Sequence, residues 1–179
     1  MESTLITNIL IPYDFSPASE KALFTGLRYA HLFRAQPHVV HVVENNQPFR
    51  IGNIPSHKPD DETKHVFEEL QRKINSLLLF GKDQVHFGRD IVTEVIYGKV
   101  INEIVDYSDE NDIDLIVLGI RQKSGVASLL MNDTAWKIAK KVSCEVLWVK
   151  YDEDQKMVTP LTLDSKLPAK TFAMSSHIV

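Results

Sequence analysis

The sequence predicts an α/β fold in which one parallel sheet lies between two layers of helices. Five short apolar runs recur along the chain, and segments with helical spacing of apolar residues separate them. Strands and helices that alternate in this way form parallel sheets joined by right-handed crossovers, with helices on both faces. The chain has 179 residues and 44% apolar content, which suits one domain with a substantial core.

The first strand and helix have clear boundary signals. The apolar run Asn8–Asp14 contains Pro12 near its end, where backbone pairing must be weak or finished. Ser16 is a good N-cap and Pro17 suits the first position of a helix. An apolar stripe then continues to about Arg34, so we expect a helix over this stretch.

The second strand precedes a long polar segment. His38–Glu44 is rich in β-branched residues and indicates a buried strand. Asn45–Pro59 contains three prolines and a glycine, so we expect a loop. Asp60–Lys82 has one apolar face and is predicted to be a helix that Gly81 ends.

The second half of the domain repeats the alternation. Ile91–Tyr97 is predicted to be the third strand and Lys99–Asn111 the next helix. The run Ile113–Gly119 reads as a fourth strand, buried on both faces. A polar loop is expected from Ile120 to Gly125. The last two elements are predicted to be a helix and a strand: Thr134–Val142 and Cys144–Lys150.

Composition excludes several classes of function. The net charge of −4 offers no field that would attract nucleic acid or an anionic membrane. No apolar run approaches the roughly 20 residues that span a bilayer, and the start MESTLITNIL lacks the features of a signal peptide. The single cysteine, Cys144, excludes an internal disulfide and suits a reducing cytoplasm. Residues 1–151 are expected to form the domain, and 152–179 an extension without its own core.

The residues alone predict no catalytic or metal site. The seven histidines lack the spacing of metal ligands, and His41 within an apolar strand is interpreted as a structural histidine. Cys144 is interpreted as a small core residue. Asp133 before the last helix is interpreted as a charge that complements the helix dipole, not as a catalytic acid. If a ligand binds, the loop after the fourth strand is the first place to look, since ligands sit beyond the carboxyl ends of parallel strands.

Four segments in order resemble a universal stress protein domain. They are Ile9–Leu23, Val39–Glu44, Tyr97–Gly119 and the stretch through Glu145–Val149. The likeness runs from about Asn8 to Lys150. It implies a five-stranded parallel sheet of order 3-2-1-4-5, a fold shared with the adenine-nucleotide α-hydrolase group. It also implies a homodimer through the last strand, whose free edge would otherwise invite another chain. The rival expectation is that the tail from Asp152 folds back and covers this edge, which would then need no dimer.

The resemblance places a phosphate loop between the fourth strand and the last helix. ATP-binding members carry Gly-x-x-Gly, nine residues, then Gly followed by Ser or Thr. Here Gly119 and Gly125 are present, but Gln122 replaces the second glycine and Asn132-Asp133 replaces the last pair. A side chain and a negative charge therefore stand where the backbone should approach phosphate. Arg121 and Lys123 could compensate only in part.

At the nucleoside end of the site, the residues match the family pattern more closely than they do in the phosphate loop. Pro12, Tyr13 and Asp14 occupy the family's Pro-Thr-Asp position, and Val42 matches the residue whose backbone meets adenine. Tyr13 could stack on a base or fill its pocket. Asp14 could bind ribose hydroxyls or cap the turn into the first helix, and both roles remain open. The resemblance thus assigns ten positions to cofactor binding: Pro12, Tyr13, Asp14, Val42, Gly119, Arg121, Gly125, Asn132, Asp133 and Thr134.

The function implied is that of a cytoplasmic, homodimeric stress-response protein. We expect it to act through an unidentified protein partner and to bind ATP weakly or not at all. The alternative is a module that binds ATP or AMP, with slow or no ATPase activity. A hydrolase of the wider group would need a signature loop such as Ser-Gly-Gly-x-Asp, which Pro12–Ser16 does not supply.

Overall fold

The structure, a computed structural model, describes residues 5–44, 49–51, 61–79, 90–122 and 133–152. The strands β1 to β6 are Asn8–Pro12, Gln36–Glu44, Phe49–Ile51, Val92–Gly98, Leu115–Gln122 and Glu145–Asp152. The helices α1 to α4 are Pro17–Phe33, Asp61–Leu79, Val100–Glu110 and Asp133–Ala139. None of the helices in these ranges combines the length and apolar character needed to cross a membrane.

The described strands form one sheet of order β3-β4-β2-β1-β5-β6. Five of them, β4-β2-β1-β5-β6, run parallel to one another. This confirms the predicted parallel sheet of order 3-2-1-4-5. Because β1 lies between β2 and β5, the chain order reverses at β1, which is the kind of position where such sheets bind ligands.

The expectation that residues 45–59 form only loop was wrong at one point. Phe49–Ile51 is a strand, β3, and it pairs antiparallel with β4 so that Phe49 lies opposite Tyr97. Three residues are too few to show a periodic pattern, and their partner lies far along the sequence. The strand is therefore set by tertiary pairing that local sequence does not reveal.

Two hydrophobic cores lie on opposite faces of the sheet. Alternation along β1 sends Ile9 and Ile11 to one core and Leu10 to the other, and all three are fully buried. The first core contains the buried residues of α1 and α2, among them Leu23, Leu27, Leu70 and Ile74. The second core contains those of α3 and α4, among them Ile104, Tyr107, Ala135 and Ile138. The three-layer architecture is thus confirmed.

Helix α1 begins and ends as the sequence predicts. Ser16 is the N-cap, and its hydroxyl accepts a hydrogen bond from the Ser19 N–H at 3.2 Å. Pro17 is the first helical residue. Arg34 caps the other end in the left-handed conformation, with φ of 56°.

Two predicted boundaries were wrong: the end of the fourth predicted strand, which is β5 in the structure, and the extent of the last helix. The polar loop does not begin at Ile120, because β5 continues to Gln122 beside β6, which itself runs to Asp152. The backbone N–H and C=O groups of each strand pair with those of the other, so both strands extend further than predicted. The last helix is shorter than Thr134–Val142 and spans Asp133–Ala139. The predicted helix end at Gly81 lies outside the described residues.

A carboxylate links the start of β1 to the residue that precedes β5. Asp114 Oδ2 accepts hydrogen bonds from the Thr7 N–H at 2.7 Å, the Thr7 hydroxyl at 2.8 Å and the Asn8 N–H at 2.9 Å. Burial raises the pKa of the Asp114 carboxyl, but these hydrogen bonds outweigh it and leave the pKa below its ordinary value.

A histidine lies within the second core. His38 is 7% exposed, and its Nδ1 lies 3.0 Å from the Tyr107 hydroxyl. Its other ring nitrogen, Nε2, has no hydrogen-bond partner among the described residues. Burial lowers the pKa of His38, because the apolar surroundings disfavour the charged imidazolium.

Candidate functional site

A cleft of about 850 Å³ opens at the carboxyl ends of β1, β2 and β5. The first turns of α1, α3 and α4 close it from the sides, and it lies over the second core. This is the position expected for a ligand site in an open parallel sheet. The volume falls in the range of roughly 300–1,000 Å³ that small-molecule sites occupy.

Asp14 lies at the rim of the cleft with an exposed side chain. Its Oδ1 accepts a hydrogen bond from the Ser16 N–H at 3.0 Å, and its own N–H donates to the Ser19 hydroxyl at 3.2 Å. Burial raises the pKa of the Asp14 carboxyl, but the hydrogen bonds from Ser16 and Ser19 outweigh it and lower the pKa overall. The carboxylate therefore caps the turn, and it remains charged beside the cleft.

The turn that carries Asp14 is held by three aromatic rings. Phe15 has φ of 61°, a left-handed conformation that is unusual for a bulky residue. Its ring contacts the Tyr13 ring at 4.9 Å and the His41 ring at 5.0 Å between centroids. His41 Nδ1 lies 2.7 Å from the Tyr13 carbonyl oxygen, as a structural histidine should. The rings thus compensate for the strained backbone that positions Asp14.

The Tyr13 ring faces the first core, on the opposite side of the sheet from most of the cleft. It is 3% exposed and packs with that core. Burial, with the nearby Glu20, Asp14 and Glu69 carboxylates, raises the pKa of its hydroxyl. Since the residue also borders the cleft, we expect a ligand to meet its backbone rather than stack on its ring.

Apolar side chains line the inner part of the cleft. Val42 on β2 and Leu118 on β5 belong to the second core or pack against it, as do Val100 and Ile104 on α3. Val42 and Val100 are half-buried, so they keep surface available to a ligand. A flat apolar group such as a purine base would bury itself well against these side chains.

Gly119 lets α1 approach β5 closely at the edge of the cleft. A Cβ atom built on Gly119 would lie 2.8 Å from the Ser19 nitrogen and closer still to the Ala18 carbonyl. Glycine is therefore required here by the packing of two backbones. This close packing is a reason for glycine in addition to the approach of phosphate that the sequence suggests.

The structure describes part of the end of the cleft where the sequence resemblance places a phosphate loop. Arg121 is exposed and Thr134 is half-buried, and both border the cleft. Asp133 is the first residue of α4. Gly125 and Asn132 lie outside the described residues. A seven-residue helix has a small dipole, so the start of α4 offers limited stabilisation to an anion.

Seven of the ten candidate positions meet at one cleft, namely Pro12, Tyr13, Asp14, Val42, Gly119, Arg121 and Thr134. Ser19, Glu44 and Val100 also border the cleft, although they are not among the ten positions. Glu44 and Val100 could have been found by position, since each stands where a parallel strand ends or the next helix begins. Among the described residues that line the cleft there is no histidine or cysteine, and no group of three or more potential metal ligands occurs in the described ranges.

A family model and individual relatives both place this chain in the same family. The model of the universal stress protein family matches residues 6–150. Universal stress protein MJ0531 of Methanocaldococcus jannaschii is 30% identical over 146 residues, which cover 82% of this chain and 83% of that protein. Universal stress protein YxiE of Bacillus subtilis is 25% identical over 153 residues, covering 82% of this chain and all of that protein.

Solved structures share the fold. The chain matches the crystal structure of a universal stress protein in complex with cAMP, with a TM-score of 0.55 and 16% identity. The match covers 82% of this chain and 98% of that one. At this identity the likeness concerns the fold, and the cyclic nucleotide belongs to that protein.

Proposed function

Because this chain belongs to the universal stress protein family, we propose that its cleft binds an adenine nucleotide with a short phosphate chain and holds ATP weakly. The observation that carries the proposal is the meeting of Asp14, Val42 and Gly119 at one cleft. A carboxylate can accept hydrogen bonds from ribose hydroxyls, and the apolar wall suits a base. The cAMP complex of a protein with this fold is consistent with such a ligand.

Weak ATP binding follows from the residues at the phosphate end. The sequence carries Gln122 and Asn132 where ATP-binding members have glycine, and Asp133 where they have serine or threonine. A carboxylate near a triphosphate repels it, and each 1.4 kcal/mol of repulsion weakens binding about tenfold. A monophosphate carries less negative charge than a triphosphate and is repelled less.

The triple substitution Gln122→Gly, Asn132→Gly and Asp133→Ser tests this part of the proposal. We expect it to strengthen ATP binding by about tenfold or more while changing AMP binding less. The matched control is Asp61→Ser, which removes an exposed carboxylate at the start of α2, away from the cleft. Unchanged ATP affinity in the triple variant would show that the loop residues do not limit binding.

The alternative is a stress protein that binds adenine nucleotides, ATP as well as AMP, with slow or no ATPase activity. Arg121 favours it, because this cation borders the cleft at the end of β5. Titration of the unmodified protein with ATP decides between the two, since the alternative requires ATP to bind at least as tightly as AMP.

We further propose that the protein is a cytoplasmic homodimer that acts in stress response by binding a protein partner. Support for the dimer comes from β6, an edge strand among those described. Its residues Val146, Leu147 and Trp148 are half-buried. Trp136 on α4 is 42% exposed and lies 6.5 Å from Trp148 between ring centroids. A strand at the edge of the described sheet, with aromatic surface beside it, is suited to pair with a second copy.

The two tryptophans of the chain report on this edge directly. If copies pair through β6, dilution should shift tryptophan emission at the concentration where light scattering records dissociation. Leu147→Lys should shift the equilibrium towards monomer, and its thermal unfolding must be measured in parallel because Leu147 also packs on the first core. A monomer at tens of micromolar (about −6 to −7 kcal/mol of association) would reject the dimer.

A further inference from the structure

The cleft that Asp14 and Gly119 border is called the main cleft. A second cleft of about 580 Å³ lies beside it, between the start of α3 and helix α4. Lys99, Asn102 and Lys141 line it. The two clefts share three bordering residues, Glu44, Val100 and Thr134. The two clefts therefore adjoin each other along these three residues.

The second cleft carries positive charge from two separate elements. Lys99 precedes the first turn of α3, and Lys141 follows α4. The Lys141 ammonium lies 3.4 Å from Asn102 Oδ1, which holds it near the cleft and leaves the Asn102 amide N–H groups as further donors. Within the described ranges, neither lysine forms an ion pair with a carboxylate.

The balance of charge selects the size of the anion. Two lysines and Glu44 give a formal charge of +1 at this cleft. One phosphate monoester, with a charge of about −1.5 to −2 at neutral pH, exceeds this positive charge by about one unit or less. A triphosphate exceeds it by more, so Glu44 repels a triphosphate more strongly than a monophosphate.

We propose that the second cleft binds the phosphate of an adenine nucleoside monophosphate whose nucleoside lies in the main cleft. The proposal rests on the proposed function, because it needs the nucleoside end to be occupied. In this arrangement the altered loop after β5 does not bind the phosphate. Lys99 and Lys141 supply positive charge to it, and Asn102 supplies a hydrogen-bond donor. The ligand is recognised by charge-assisted hydrogen bonds to one phosphate group.

The test compares adenosine with AMP on the full chain at low ionic strength. The variants are Lys99→Gln, Lys141→Gln and both together. Lys140→Gln is the matched control, because the Lys140 ammonium lies 5.2 Å from the centre of the Trp136 ring and borders neither cleft. Isothermal titration gives the dissociation constants.

The expected result is that AMP binds the unmodified protein about tenfold more tightly than adenosine. Each lysine variant should weaken AMP binding about three- to tenfold and leave adenosine binding unchanged. The double variant should bind the two ligands equally, and Lys140→Gln should change neither. The preference for AMP should also decline as salt is raised from about 0.05 to 0.5 M.

Two results would overturn the inference, and they differ from each other. Equal binding of adenosine and AMP, or a preference that survives in the double variant, rejects the second cleft as the phosphate site and leaves the proposed function standing. Binding of neither ligand rejects the proposed function, and the inference with it.

Discussion

Replacement of Gly119 by alanine should damage both the stability of the domain and its ligand site. The new Cβ would lie 2.8 Å from the Ser19 nitrogen and closer to the Ala18 carbonyl. These are backbone atoms in the first turn of α1, so no side chain can rotate to relieve the overlap. The helix start or β5 must shift instead.

The size of the effect follows from overpacking. Extra methyl groups in well-packed regions cost about 1–3 kcal/mol, and rigid backbone neighbours place Gly119→Ala at the upper end. With a urea dependence of about 2 kcal/mol per molar, the unfolding midpoint should fall by about 1 M or more. Ser19 hydrogen-bonds the Asp14 N–H and lies beside the cleft, so AMP binding should weaken as well.

Gly26→Ala is the control for this experiment. Its Cβ would lie 2.6 Å from Ile11 Cδ1 and 2.7 Å from Ile11 Cγ1, so the buried Ile11 side chain must shift within the first core. Alanine is about 1 kcal/mol more favourable than glycine within an α-helix, which offsets part of this cost, so Gly26→Ala should be less destabilising than Gly119→Ala. If Gly119→Ala were no less stable than Gly26→Ala and bound AMP normally, the close approach of α1 and β5 would not explain Gly119.

Three other substitutions test separate parts of the account. Asp14→Ala should lower the free energy of unfolding by about 0.5–2 kcal/mol, as for a lost cap, and should also weaken AMP binding; a stability loss alone would leave Asp14 as a cap only. Asp114→Ala should cost about 1–2 kcal/mol in urea unfolding, because three hydrogen bonds to a charged group are lost, whereas the exposed Asp106→Ala should cost little. Because the pKa of His38 is lowered by burial, its contribution to stability is present above the ordinary pKa of about 6.5 and is lost as pH falls through the folded pKa. The fall in stability from pH 7.5 to 5.5 should therefore be smaller in His38→Phe, and an equal fall in both proteins would exclude His38 as its cause.

The order of the parallel strands could be predicted, because alternating strands and helices limit the possible topologies and the sequence resemblance selects one of them. The extra strand Phe49–Ile51 could not be predicted, since it exists only by pairing with β4. The same reason explains why β5 passes Gly119, where the sequence suggests an end. The backbone beyond it finds partners on β6.

The position of the cleft was predictable from the strand order. Pro12 ends β1, Asp14 follows it, and both border the cleft together with Gly119 within β5. Ser19 and Lys141 gave no signal in the sequence, because they reach the two clefts from the first turn of α1 and from beyond α4. Their positions depend on how helices pack on the sheet, and apolar periodicity fixes the buried face of a helix but not which polar residues reach a cleft.

The central claim is that the cleft accepts an adenine nucleotide with one phosphate in preference to three. Isothermal titration of the unmodified full-length protein with AMP and with ATP, at equal ionic strength and with magnesium both absent and present, tests it directly. We predict saturable AMP binding and an ATP dissociation constant about tenfold higher or more, which corresponds to about 1.4 kcal/mol. ATP binding as tight as AMP binding, or tighter, would contradict the account.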